Sequence, residues 1–211
     1  MDKLDLHISV SLGTASEKRD FLKAVGEDKD LKFFESKLQD RRAKVEEVKE
    51  YCSKEQVGIL IFGDKKYPAL LKQISDPPVL LYTKGDPDLL NSSTAISIVG
   101  TRRATSYGIN FAEELSRELA SYGVVIVSGL AEGIDAAAHR GALQGGGTVA
   151  VLGSGMKFRF PAANRELYDQ IFDKGLVVTE FAPDVHPDKG TFPVRNRIIA
   201  GLSRGVVVVE S

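Results

Sequence analysis

The sequence holds no tryptophan, one cysteine and three histidines, and each scarcity removes a class of protein. A lone Cys52 excludes an internal disulfide framework and points to a reducing cytosol. His7, His139 and His186 are scattered along the chain, so together with one thiol they leave no spacing for a zinc site. No segment approaches the ~18 apolar residues that span a bilayer. The N-terminal MDKLDLHISVSLG lacks the basic region and long apolar run of a secretory signal. These absences predict a cytoplasmic chain with no membrane partner. Charge of one sign is also missing: 28 Lys and Arg stand against 29 Asp and Glu. No global field therefore draws the chain to nucleic acid or to an acidic membrane, and any polyanion site has to be a local patch.

What is present is 211 residues with 43% apolar content, enough for one full domain and a smaller appendage. Residues 1–56 are charge-dense and read as a small helical module, with helices expected over 17–25 and 31–52. Phe33, Phe34, Lys37, Leu38, Val45 and Val48 form a partly regular stripe on the second. Residues 57–90 carry short apolar runs at 59–62 and 79–82 with a helical turn over 68–73, and Gly63-Asp64, Asp76-Pro77-Pro78 and Gly85-Asp86-Pro87 supply the turns. From residue 95 strands and helices alternate. Strands are expected at 95–99, 124–128, 148–152, 176–179 and 206–210, with helices near 108–121, 133–144, 163–173 and 194–203. The strands are almost wholly apolar and β-branched, as when helices cover both faces. The expected class is α/β: an extended Rossmann-like, doubly wound, mostly parallel sheet over 57–211, preceded by the helical module. The chain stops directly after a strand that reads as central and buried, which predicts that a C-terminal part is missing.

In a parallel sheet the loops that follow the strands emerge on one edge and line one crevice. Here those loops are 99–108, 128–135, 152–161 and 179–192, and they carry Arg102, Arg103, Lys157, Arg159 and Lys189, joined by Arg195 from the helix that the last loop opens. The last loop is long for an α/β connection, which itself suggests function. Pro193 suits the first helical position, since its missing N–H would be unpaired there. Gly190, Thr191 and Phe192 then lie at a helix N-terminus, where free N–H groups and the helix dipole favour phosphate. Lys189 adds a full charge, Thr191 a hydroxyl, and Phe192 a ring able to pack on a base or sugar. Arg195 and Arg197 flank Asn196 on a helix whose Val194, Ile198, Ile199 and Leu202 are expected to face the sheet.

Asp135 and His139, four apart on one helix, are close enough to hydrogen-bond, but no serine, cysteine or second carboxylate is placed with them, and the pair reads as structural. Glu132 and Glu180 are positioned to orient arginines or to reject a wrong ligand. The dinucleotide fingerprint fails, because Gly153-Ser154-Gly155 is followed by Phe158 where a third glycine is required. No phosphate-loop lysine motif occurs either. NAD and ATP are disfavoured and no cofactor is expected.

Four motifs in order, IVGTRRATSYG, VSGLAEGIDAAAHRGAL, AVLGSGMKFRFPAANREL and KGTFPVRNRIIAGLSRGVVVVES, resemble the DNA-processing protein A family, also called DprA or Smf. FGDKKYPALLKQISDPPVLLYTKGD resembles the segment leading into that family's extended Rossmann domain, so the likeness covers residues 57–211. It implies a protein with no established enzymatic activity that binds single-stranded DNA, protects incoming strands during natural transformation and helps load the RecA recombinase. It implies a homodimer for the full-length protein. The family's phosphate pocket maps onto Arg102 or Arg103 and onto Lys189, Gly190, Thr191 and Phe192, and the likeness extends to Arg195 and Asn196. Residues 1–56 depart from the family's Gly-x-Gly hairpin, offering only Leu12-Gly13-Thr14. A competing class is a nucleotide-processing enzyme of the phosphoribohydrolase type, which uses the same crevice. Its Pro-Gly-Gly-x-Gly-Thr-x-x-Glu run is missing here. A third is a protein-interaction domain with a vestigial basic crevice.

Overall fold

The structure, a computed structural model, describes residues 2–27, 29 and 31–211, and of Phe33 the backbone alone. Three helices come first: α1 (Lys3–Ser11), α2 (Ala15–Gly26) and α3 (Lys32–Lys54). Asp2 caps α1 by accepting from the Leu4 N–H, and Thr14 with Glu17 closes a reciprocal capping box on α2. Helix α1 has no counterpart in the sequence reading. Leu6 through Val10 are all buried, so the helix lacks the one-sided apolar stripe by which helices are recognised. Phe21 of α2 packs edge-on against His7 (4.9 Å) and Phe34 (5.1 Å), joining the three helices. The Phe33 side chain lies outside the described residues.

The seven strands are β1 (Gly58–Ile61), β2 (Leu80–Gly85), β3 (Ala95–Val99), β4 (Val125–Ser128), β5 (Thr148–Val151), β6 (Leu176–Thr179) and β7 (Val206–Val208). They form one sheet in the order β1-β2-β6-β5-β4-β3-β7. The run from β6 to β7 is parallel, whereas β2 pairs antiparallel with both β1 and β6. The class is therefore the expected mostly parallel α/β sheet behind a helical module.

Side-chain alternation along each strand sends residues to two covered faces. Ile98 and Ile126 pack with Ala112 of α4 (Ser106–Ser121) and Ala137 of α5 (Ile134–Gly145). Val125, Val127, Val149 and Val151 turn the other way, onto Ile198 and Ile199 of α7 (Thr191–Gly201) and Leu202 directly after it. Helix α6 (Arg165–Lys174) covers Ala150 and Val177 through Leu167, Tyr168 and Ile171. The same cluster takes in Val45, Val48 and Cys52 of α3, so the apolar core continues from the helical module into the sheet. Lys44 of α3 also reaches Asp184 at 2.5 Å, tying the module to the long loop after β6.

The direction in which strands are added reverses after β6, and α7 carries the chain back to place β7 parallel beside β3. A crevice opens at such a switch point, outside the carboxyl ends of the strands. Strand β7 lies at the end of the strand order, and Val206 and Val208 are 49% and 60% exposed. A run of valines reads alike at the edge and at the centre of a sheet, because composition does not report a strand's position in it.

Candidate functional site

The loops after β3 and β4 and the start of α7 line two adjoining cavities of about 480 and 230 Å³; the loop after β5 joins the smaller, Val206, Val208, Glu210 and Ser211 join the larger, and Lys189, Gly190 and Thr191 line neither. Arg102 and Phe192 line both and form the partition between them. The guanidinium carbon of Arg102 sits 5.2 Å from the centre of the Phe192 ring, in cation–π range. Phe160 adds a second ring 5.7 Å from Phe192 on the side of the smaller cavity. The walls are held by short local bonds. Asp135 accepts from the Gly129 N–H at 3.1 Å, and Asn164 donates to the Leu130 carbonyl at 3.0 Å, holding Leu130 at φ 57°. Gly153 has no Cβ because one would meet the Phe192 ring.

The stretch from Lys189 to Asn196 divides into exposed and structural residues. Lys189 is exposed and makes no ion pair with a described residue. Helix α7 starts at Thr191, which makes Pro193 its third residue and not its first. The position still suits proline, because the first four helical N–H groups have no partner within the helix. Val194 is 47% exposed and does not face the sheet. The Gly190 N–H donates to Asp188 Oδ1 at 2.7 Å. The Thr191 hydroxyl lies 2.5 Å from the Gly153 carbonyl and 2.8 Å from that of Asp188, and accepts from the Asp188 N–H at 3.2 Å. These groups brace the loop in this structure, and Asp188 places its own carboxylate at the helix start.

Arg195 is 4% exposed. Its Nη1 donates to the Gly129 carbonyl at 2.6 Å and to the Val151 carbonyl, and its Nε donates to Asn196 Oδ1 at 3.2 Å. Burial lowers its pKa to about 10, partly offset by Asp135. Burial likewise raises the Asp135 carboxyl above its usual range, against the pull of Arg195. The buried guanidinium thus forms the wall shared by both cavities, while Asn196 is exposed and lines the larger one. Arg102 and Arg103 are exposed and neither is ion-paired with a described residue.

The remaining basic residues are engaged elsewhere. Arg159 pairs with Asp169 at 2.8 Å, and the Lys157 ammonium lies 5.2 Å over the Tyr51 ring of α3. Glu180 orients Arg197 at 2.6 Å, and Asp76 approaches the same guanidinium at 3.3 Å. Asp135 and His139 do not bond each other. The Thr148 hydroxyl spends its proton on the Ile126 carbonyl, so His139 Nδ1 must donate to it at 2.7 Å. Complete burial holds this imidazole neutral, with its pKa lowered to about 3. Among the described residues no group of three His, Cys, Asp or Glu is placed to hold a metal, and no helix is long and apolar enough to cross a membrane.

Sequence reasoning missed Phe160, Asp188 and Glu210. The Glu210 carboxylate accepts from the Thr105 N–H (2.9 Å) and hydroxyl (2.5 Å) at the start of α4. Asp188 carried a usable signal, an Asx turn beside a glycine. Glu210 carried none, because its partner is 105 residues away.

The switch point of this Rossmann-like sheet thus gathers exposed Arg102 and Arg103, without ion-pair partners among the described residues, with the rings of Phe192 and Phe160 and several glycine turns. The family described as DNA recombination-mediator protein A matches residues 58–211, and the chain belongs to it. The chain is 41% identical over 155 residues to DNA processing protein DprA of Bacillus subtilis, covering 73% of this chain and 52% of that protein. It is 48% identical over 149 residues to that of Streptococcus pneumoniae, covering 70% and 52%. The chain thus spans about half the length of the curated relatives it matches. The X-ray structure of DNA processing protein A from Streptococcus pneumoniae superposes with TM-score 0.80 at 34% identity, over 96% of this chain and 75% of that one. That of Helicobacter pylori, described for its unique single-stranded DNA binding mode, gives 0.65 at 36% identity over 72% and 68%.

Proposed function

We propose that this chain binds single-stranded DNA in the crevice at the switch point, without regard to base sequence and without catalysis. The observation that carries the reading is the Arg102 guanidinium over the Phe192 ring, between two cavities, with exposed Arg103 lining the smaller one. Cations follow a phosphate backbone whatever the sequence, and every base has a face that stacks on an aromatic ring. The loop 188–192 supplies the local N–H donors once a phosphate displaces the Asp188 carboxylate, and Asn196 is available at the rim. The single-stranded DNA binding described for the Helicobacter pylori relative supports the same reading. Residues 57–211 act as the DNA-binding domain and residues 1–56 as an appended helical module. Within the family's role this protein protects incoming strands, loads RecA as a homodimer and does so in the cytoplasm during transformation and recombination.

The test is fluorescence anisotropy of a labelled oligonucleotide titrated with this chain and with Lys189→Ala, at two salt concentrations and with duplex competitor. Salt-sensitive binding that duplex does not displace and the substitution weakens is the expected result. Unchanged binding by Lys189→Ala removes the pocket assignment.

A further inference from the structure

We infer that the strand leaves the crevice over the first two turns of α4, where Tyr107 and Phe111 form a stacking platform for its bases. This rests on the single-stranded DNA reading above. Tyr107 is 78% exposed and Phe111 43%. Their rings are nearly parallel, 17° apart with centroids at 6.3 Å. Two large aromatic side chains one helical turn apart and open to water serve no core, since the buried side of α4 is Gly108, Ala112, Ser116 and Ala120.

Their neighbours favour nucleic acid over protein as the occupant. The helix begins at Ser106, directly after the loop that carries Arg102 and Arg103, the two exposed arginines without ion-pair partners among the described residues. A chain held by phosphate at those arginines has its next bases beside Tyr107. Arg102 itself lies over Phe192, whose ring neighbours Phe160, and Tyr107 follows Arg103 by four residues, so rings and cations alternate. That alternation suits a sequence-tolerant single strand, in which charge holds the backbone and rings hold the bases. The same stripe of α4 continues into exposed Glu114 and Glu118, whose charge repels phosphate. The platform therefore ends after two turns.

The chain has no tryptophan, so Tyr107→Trp introduces a single indole reporter. Oligo(dT) should quench its emission over the range in which anisotropy saturates. Tyr107→Ala should weaken oligo(dT) about tenfold and leave affinity for an abasic oligonucleotide of equal length unchanged, while Tyr107→Phe, which keeps the ring, retains binding. Phe111→Ala should act in the same direction as Tyr107→Ala. Equal weakening for both oligonucleotides, or an unquenched indole in a chain that binds oligo(dT), overturns the platform alone. Absence of any binding by the parent chain removes the binding function and the platform together. Sedimentation gives the remaining arm. A dimer of the parent chain that Tyr107→Ala dissociates while oligo(dT) affinity stays unchanged makes this face a protein interface and overturns the proposal.

Discussion

Arg195 Nη1 donates to the carbonyl oxygen of Gly129, 66 residues earlier, at 2.6 Å. The same atom reaches the Val151 carbonyl, so one buried guanidinium joins the ends of β4 and β5 to α7. A cation on a loop-proximal helix thereby becomes part of the scaffold, and the site's free charges are left to Arg102, Arg103 and Lys189.

Arg195→Met should cost stability more than it alters any direct ligand contact. The change leaves two strand-end carbonyls without their donor and removes the cation near buried Asp135. Loss of charge-assisted buried bonds predicts about 2–4 kcal/mol, read as a lower urea midpoint at unchanged m-value. A midpoint equal to the parent's would show that these bonds do not hold the crevice.

Arg102 should behave differently from a point charge. Arg102→Ala should lower affinity for single-stranded DNA and reduce the slope of log K against log salt by about 0.7, one phosphate contact on a single strand. Arg102→Lys keeps the charge and the slope but loses the planar group over Phe192, and affinity should fall roughly two- to fivefold. Titrations at several salt concentrations separate the two effects. Equal slopes for all three proteins would place the phosphate elsewhere.

His139 predicts an acid dependence of stability. Its folded pKa near 3 lies below the ordinary value of 6.5, so between those values the unfolded chain binds the extra proton. The neutral form's stability is whole above pH 6.5 and declines as pH falls toward 3, by at most about 1.4 kcal/mol per pH unit. His139→Gln lacks that titration. The stability gap between parent and variant should narrow from pH 7 to pH 5 in urea unfolding, whereas a constant gap would contradict the buried neutral imidazole.

Much of this protein was legible without coordinates. Strands 95–99 and 176–179 match their observed bounds, and the other strands lie within two residues of expectation at most ends, because apolar β-branched runs bounded by glycine leave few alternatives. Crowding of the four loops at one edge followed from parallel pairing alone. Helix α1 was not legible, since burial on every side erases the period that marks a helix. Neither was the division of labour among the site residues. Arg102, Arg195 and Arg197 are alike in sequence, yet one partitions two cavities, one is buried beneath them, and one is paired with Glu180 and Asp76.

The sequence by itself determined the α/β class, the helical module ahead of it, the absence of a cysteine framework and the family, because these rest on local periodicity, composition and ordered motifs. Tertiary structure alone decided that α3 shares the sheet's core, that Asp188 occupies the helix start and that Tyr107 stacks beside Phe111 in water. The physical reason is that charge pairing, desolvation and exposure depend on which distant segments meet, and a residue's type does not record what packing brings against it.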